Sequence, residues 1–143
     1  MARNLKIAAA QLGPLHKADS RAVAVKRLVA LLREAHGMGA RFVVFPELAF
    51  TTFFPRWWME DQAEVDKRYF ESTVPSPETE PLFSEAKKLG IGFYIGYAEL
   101  TPEKRRFNTA ILVAPDGKTR TTTITGKNPQ GQTVNNILVF DRQ

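Results

Sequence analysis

The segment RFVVFPEL, residues 41–48, joins a short apolar run to a breaker and an acid. The β-branched and aromatic residues 41–45 are typical of a buried strand, and Pro46 ends it. Glu47 is therefore expected at the carboxyl end of that strand, where open α/β folds place their ligand sites. A carboxylate held there among apolar groups has its charged form disfavoured by desolvation, which suits a general base. Position alone also allows a helix-capping acid or an ion pair with arginine.

The residues before this segment predict a strand and a helix. Residues 6–12 form a small apolar run that ends at a Gly-Pro pair, which predicts a buried strand. Residues 25–35 place apolar side chains at helical spacing, with Asp19 or Ser20 as N-cap and an end near Gly37. Strand, helix and strand in this order predict a right-handed crossover and parallel strands.

The residues that follow the segment predict the rest of an α/β sandwich. Residues 48–59 are aromatic and irregular, as in a pocket wall or an interface. Helical spacing returns over residues 60–70 and 80–89, and strands are predicted over 91–100 and 108–113.

The end of the chain predicts a hairpin. Residues 115–118 form a strong turn signal, and residues 119–125 are rich in threonine. Residues 126–132 have the composition of a turn, and 133–140 of another strand. No internal repeat or linker is visible, so residues 1–143 are expected to form a single domain.

Composition excludes several classes of protein. With 43% hydrophobic and 24% charged residues, the chain resembles a globular domain. No apolar run approaches the ~20 residues that span a bilayer, and no signal-like stretch follows the start, so no membrane partner and a cytoplasmic location are expected. The 20 basic residues are scattered, and only residues 104–106 form a contiguous basic cluster, which disfavours nucleic acid as a partner.

Metal and phosphate chemistry are also disfavoured. The absence of cysteine excludes disulfides, thiolate metal sites and a thiol nucleophile within these residues. His16 and His36 lack the spacing of a metal pair and are expected at the surface, so no metal site is predicted. Residues 117–119 read Gly-Lys-Thr, but the glycine that a phosphate loop requires is replaced by Leu112.

Several segments of the sequence resemble segments of one enzyme family. Residues 43–48, VVFPEL, resemble the glutamate motif of the nitrilase superfamily of carbon-nitrogen hydrolases, in which the acid is the general base of a Glu-Lys-Cys triad. Further segments are similar, in the same order, to N-carbamoyl-D-amino-acid amidohydrolases. They are residues 51–57, 89–93, 96–99 and 104–109. Several motifs in register are more specific than one, and the likeness covers about residues 4–118, the amino-terminal part of such an enzyme.

The resemblance implies a fold and an activity. The chain would be the amino-terminal portion of an α-β-β-α sandwich, an incomplete domain whose residues 119–143 diverge from the family pattern. The implied activity is hydrolysis of N-carbamoyl-D-amino acids to D-amino acids, CO2 and ammonia, without a cofactor. Glu47 would be the catalytic base, while the cysteine nucleophile of the family belongs to a second half that this sequence does not contain.

The triad lysine has no clear equivalent. Counting from the turn at 115–118 places Thr125 where the family has its lysine, and Lys127 follows two residues later on the same strand face. Gly126 and the Asn-Pro pair at 128–129 favour a turn there, and hence a solvated lysine.

Five other residues are candidates for the substrate pocket. The resemblance implies that Phe53, Phe54 and Trp57 line or support it. Arg56 either meets a substrate carboxylate or stacks on the neighbouring aromatic rings as a structural residue. Asn108 either lines the pocket or bonds to backbone.

Two functional hypotheses follow. In the first, the chain contributes to amidohydrolase activity, with an N-carbamoyl amino acid as its small-molecule ligand and a complementary chain that carries the cysteine. In the second, it is a catalytically inactive, truncated or diverged homologue with a structural or interaction role. A half-sandwich exposes the apolar face of its sheet, which predicts a homo-oligomer.

Overall fold

The computed structural model describes residues 4–127 and 133–140, with side chains up to residue 118. Six strands form one sheet in the order of the sequence. They are β1 (Ile7–Ala9), β2 (Phe42–Val44), β3 (Gly92–Leu100), β4 (Arg106–Val113), β5 (Thr119–Lys127) and β6 (Thr133–Phe140). Pairing is parallel between β1, β2 and β3 and antiparallel between β3 and β4, so the predicted parallel strands are confirmed. The predicted hairpin is confirmed as well, because β5 pairs antiparallel with β6 along its length.

Three α-helices connect the strands. They are α1 (Arg21–Gly37), α2 (Gln62–Tyr69) and α3 (Glu80–Leu89), and a short 3-10 helix spans Phe54–Arg56. Helix α1 begins at Ser20, whose Oγ accepts a hydrogen bond from the Val23 N–H at 3.4 Å. Helix α3 ends at Gly90, whose φ of 63° is a left-handed conformation that glycine adopts without a steric penalty.

Helices α1 and α3 pack together and share the main core with one face of the sheet. Leu28 and Leu32 of α1 and Leu82 of α3 are fully buried there, as are strand residues Val43 and Phe93. Burial of one such side chain contributes about 1.5–3 kcal/mol. The helices therefore fix the position of β2 and β3 from one side.

Helix α2 meets the opposite face of the sheet only near Ala98, which clusters with Val65 and Tyr69. Around β1, β2 and the first residues of β3, no described helix covers that face. The registers place Ala9, Val44, Tyr94 and Leu112 side by side on it. Val44 is 38% exposed, and Ile7, on the same face, is 55% exposed. A second sheet covers this face in an α-β-β-α sandwich, so the architecture agrees with the expected amino-terminal portion of that fold.

Two predictions about strands are wrong. The buried strand expected over residues 6–12 is only three residues long, and both Ile7 and Ala9 are exposed, because they lie on the face of the sheet that no described helix covers there. The turn expected over residues 126–132 does not include Gly126 and Lys127, which belong to β5 and pair with Val134 and Thr133. Residues 128–132 of that predicted turn lie outside the described residues.

Candidate active site

Glu47 lies just beyond β2, and residues on either side of it form backbone hydrogen bonds to β3. The Phe45 N–H donates to the Tyr94 carbonyl at 2.9 Å, and the Ala49 N–H donates to the Gly96 carbonyl at 3.0 Å. Between them, Leu48 has a left-handed backbone with φ of 49°, which costs a non-glycine residue on the order of 1 kcal/mol. The chain therefore turns sharply at the carboxyl end of β2, where the sequence predicted Glu47.

Gly96 of β3 allows this close approach. A Cβ added at Gly96 would lie 3.2 Å from the Glu47 Cα and 3.5 Å from the Leu48 nitrogen, both backbone atoms that cannot rotate away. Glycine therefore lets the backbone that carries the acid lie directly on β3. This role of Gly96 was not predicted from the sequence, although a glycine inside a strand pattern is the signal that indicates such a close approach.

Asn108 of β4 holds the Glu47 carboxylate. Its side-chain Nδ2 donates a hydrogen bond to Glu47 Oε1. Asn108 pairs with Ala98 of β3, so the amide of β4 and the acid that follows β2 meet across β3, the strand between them. Asn108 also lines a cavity, as one of its two predicted roles requires, and its side-chain amide bonds to the Glu47 carboxylate and not to backbone.

Two cavities meet at Glu47. The larger, of about 690 Å³, is also lined by Phe53 and Arg56. The smaller, of about 400 Å³, is lined by Phe53, Phe54 and Asn108. The structure thus brings together Glu47 and four of the five candidate pocket residues.

The Glu47 side chain is nevertheless exposed. The expectation that apolar surroundings enclose the acid is wrong for the part of the chain that the structure describes. The reason is architectural: Glu47 stands on the sheet face that carries Gly96, and the described residues leave that face open around Glu47.

Trp57 lines neither of these two cavities. Its ring packs against the small apolar cluster that contains Leu48 and Phe54. The Arg56 guanidinium carbon lies 4.3 Å from the centroid of that ring, within the range of a cation–π contact. Trp57 therefore supports the pocket by orienting Arg56, and Arg56 is both stacked on a ring and part of the cavity wall.

Lys127 is the last residue of β5 and pairs with Thr133 of β6. Its backbone is thus in a strand and not in the predicted turn. Its side chain lies outside the described residues, so its suggested place in the triad stays a prediction.

A buried ion pair that was not predicted from the sequence links the start of α1 to the segment after α2. The Arg21 Nε donates to Glu71 Oε1, and Arg21 Nη1 donates to Glu78 Oε2 at 2.9 Å. Glu71 is only 4% exposed, and this burial raises the pKa of its carboxyl, while the attraction of Arg21 offsets part of the effect. The partners are separated by 50 residues in sequence, so no local pattern predicts the contact.

Other chemistry finds little support within residues 4–127 and 133–140. No group of three potential metal ligands occurs there, and His16 and His36 are both exposed. None of the described helices is long and apolar enough to cross a bilayer.

Comparison with known sequences gives a consistent match. A family model described as carbon-nitrogen hydrolase matches residues 6–138. An arylacetonitrilase from Macrophomina phaseolina (strain MS6) is 31% identical over 125 residues, which cover 83% of this chain and 35% of that protein. The chain thus spans about a third of the length of this curated relative.

Several solved structures resemble the fold. An N-terminal amidase with an Asn-Glu peptide matches with a TM-score of 0.60 and 17% identity, over 93% of this chain and 38% of its own. A carbon-nitrogen hydrolase from Helicobacter pylori G27 has a TM-score of 0.58 and 18% identity, over 74% of this chain and 35% of its own. A mutant amidase from Nesterenkonia sp. AN1, with acrylamide added to its active site cysteine, has a TM-score of 0.57 and 16% identity, over 81% and 42%. At these identities the likeness shows the fold.

Proposed function

This chain belongs to the carbon-nitrogen hydrolase family, and we propose that it supplies the general base of an amide-hydrolysing site. Glu47 is that base. The observation that carries the assignment is its hydrogen bond from Asn108, at the carboxyl end of β2 and at the junction of two cavities. Because Asn108 occupies Oε1, the other carboxylate oxygen is left to exchange a proton.

The nucleophile in this proposal is a thiol outside these 143 residues, since they contain no cysteine. Glu47 takes the thiol proton as sulfur attacks the carbonyl carbon, and it returns that proton to the nitrogen that leaves as the C–N bond breaks. Water then attacks the thioester-like intermediate and gives a proton to Glu47, which passes it back to sulfur. Lys127 is the candidate for the ammonium that stabilises the oxyanion.

We further propose N-carbamoyl-D-amino acids as substrates and a complementary chain that carries the cysteine as partner. The segments over residues 51–57 and 104–109, which resemble amidohydrolases of that class, lie around Glu47 and support this choice. The reaction requires no cofactor. A thiol nucleophile stays reduced in the cytoplasm, which supports a cytoplasmic location.

Complementation tests the role of Glu47. The chain is mixed with a cysteine-bearing second half from a family member, and ammonia release from an N-carbamoyl-D-amino acid is measured. Glu47→Gln should reduce the rate by about a hundredfold or more, since loss of a general base costs that much. The matched control is Glu34→Gln, at an exposed position of α1, which should leave the rate unchanged. No activity, or activity indifferent to Glu47→Gln, contradicts the assignment.

A second candidate function is a non-catalytic interaction role, and the uncovered sheet face around Val44 favours it. An exposed apolar face drives association, so a homo-oligomer is expected in this case. Light scattering at micromolar concentration measures the mass in solution. A strictly monomeric species would contradict the interaction role.

A further inference from the structure

Glu47 and Phe53 line two cavities that differ in whether their arginine is already paired with a carboxylate. Both residues line the larger cavity of about 690 Å³ and the smaller one of about 400 Å³. A ligand whose reacting group lies beside Glu47 can therefore extend one substituent into each cavity. The chemistry of the two walls decides which substituent goes where.

The larger cavity offers a cation. Its charged lining residues are Glu47 and Arg56 alone. No carboxylate among the described side chains lies within ion-pair distance of Arg56, whereas Arg21, Arg27, Arg33 and Arg106 each have at least one. The Arg56 guanidinium carbon lies 4.3 Å from the centroid of the Trp57 ring, a contact that leaves its five N–H donors without a carboxylate acceptor among the described side chains. Arg56 is thus available to a ligand anion, and its planar fork matches a carboxylate.

The smaller cavity offers apolar walls. Phe54, Phe70 and Phe107 line it. Its one basic residue, Arg106, is already engaged, with Nε donating to Asp66 Oδ1 at 2.6 Å and Nη1 to Gln62 Oε1 at 2.6 Å. Glu47 and Asn108 satisfy each other at its rim. A carboxylate would find no unpaired cation in this cavity. An apolar side chain would be removed from water there, which favours its binding.

We propose that the site takes an anionic amide or ureide with a large apolar side chain, its carboxylate on Arg56 and its side chain in the smaller cavity. This inference deepens the proposed function and rests on it. It names the side-chain class, aromatic or branched aliphatic, and it assigns Arg56 as the residue that selects anionic over neutral substrates.

Ligand-observed NMR on the 143-residue chain tests both subsites with three probes. N-Carbamoyl-D-phenylalanine carries the carboxylate and the ring, N-carbamoyl-D-alanine lacks the ring, and 2-phenylethylurea lacks the carboxylate. The first should bind about tenfold more tightly than either of the others, because each of them leaves one subsite empty. Equal binding of the three probes, or no binding of any, overturns the inference.

Variants of Arg56 separate the two contributions. Arg56→Gln should lower the affinity for N-carbamoyl-D-phenylalanine about tenfold and leave that for 2-phenylethylurea unchanged, and Arg56→Lys should restore part of the loss. The matched control is Arg41→Gln, an exposed arginine at the opposite end of β2 from Glu47, which should change neither affinity. An Arg56→Gln variant that binds all probes like the native chain overturns the inference.

The two proposals fail in different ways. If complementation gives Glu47-dependent hydrolysis but Arg56→Gln is without effect on either probe, only the assignment of the carboxylate subsite is overturned. If the probes bind in the predicted order but no Glu47-dependent hydrolysis occurs, the proposed reaction fails and the ligand class stands.

Discussion

At the scale of single residues, the hydrogen bond between Asn108 and Glu47 defines the site. The amide of Asn108 fixes one carboxylate oxygen, and with it the orientation of the other. A general base acts only when its free oxygen lies within hydrogen-bond reach of the proton that it takes. We therefore regard Asn108 as a positioning residue for Glu47.

Replacement of Asn108 should separate turnover from binding. In the complementation assay, Asn108→Ala should lower kcat about tenfold with little change in KM, because the carboxylate is no longer aligned. Asn108→Asp should be worse than Asn108→Ala, since a second negative charge would repel the base. Steady-state kinetics with both variants measures this order, and the reverse order would contradict the positioning role.

Replacement of Gly96 should destabilise the folded chain. Gly96→Ala places a Cβ 3.2 Å from the Glu47 Cα, so the backbone has to shift, and we expect a loss of about 1–3 kcal/mol in the free energy of unfolding. At Gly37, the last residue of α1, an added Cβ meets nothing within 4 Å. Gly37→Ala is thus the control and should be neutral or stabilise by up to about 1 kcal/mol. Denaturant unfolding compares the two variants; equal effects would argue against close contact at Gly96.

At the scale of elements, the Arg21–Glu71 ion pair ties the start of α1 to the sheet. The Glu71 N–H donates to the Ala98 carbonyl at 2.8 Å, and the Leu100 N–H donates to the Glu71 carbonyl at 2.9 Å. The segment that follows α2 is thereby held along β3. Phe70, a wall of the smaller cavity, precedes Glu71 directly and is positioned by the same contacts.

The pKa of Glu71 predicts a pH dependence of stability. Burial raises this pKa above its ordinary value of 4.5, so the folded chain holds the proton more tightly than the unfolded chain does. The contribution of Glu71 to the free energy of unfolding is therefore greatest below that ordinary value. It falls as the pH rises through the raised pKa of the folded state.

Glu71→Gln should remove this dependence. Unfolding by denaturant at pH values between about 4 and 8 should show a native chain that loses stability with rising pH relative to Glu71→Gln. Glu34→Gln, at an exposed position, should follow the native curve. A constant difference between the native chain and Glu71→Gln at all pH values would show that Glu71 has an unshifted pKa.

Local patterns predicted the elements well and the contacts between them poorly. Helix α3 was predicted with its observed bounds, because Leu82, Phe83 and Ala86 follow helical spacing and Gly90 provides the left-handed end. Strand β1 was predicted too long and too buried, because an apolar run does not reveal whether one face of the strand is left uncovered. The hydrogen-bond partner of Asn108, Glu47, lies 61 residues away in the sequence. At that separation the chemistry of an amide side chain suggests several possible partners but does not identify which one it contacts.

At the scale of the whole molecule, the uncovered part of the sheet face predicts association in solution. Val44 lies on it as the last residue of β2 and is 38% exposed, and Val23 of α1 is exposed to the same extent. If this face associates with a second copy, Val44→Asp should shift the chain toward monomer, because a desolvated charge opposes burial. Val23→Asp is the matched control and should not.

Light scattering of both variants, with circular dichroism to confirm that they fold, measures this difference. An equal mass distribution for Val44→Asp and the native chain would mean that the contact between copies lies elsewhere. Equal dissociation by Val23→Asp would mean that added charge alone, and not its position, disperses the chain.

Phe53 stands in the wall of both cavities. Engineering of altered selectivity therefore meets a constraint at this position, because any exchange there reshapes the fit of both ends of a ligand at once. Thr51 belongs to the larger cavity and Phe107 to the smaller, so a library that varies these two residues and retains Phe53 can adjust each end independently. A library that varies Phe53 would change the preference for the carboxylate end and for the side-chain end of the ligand together.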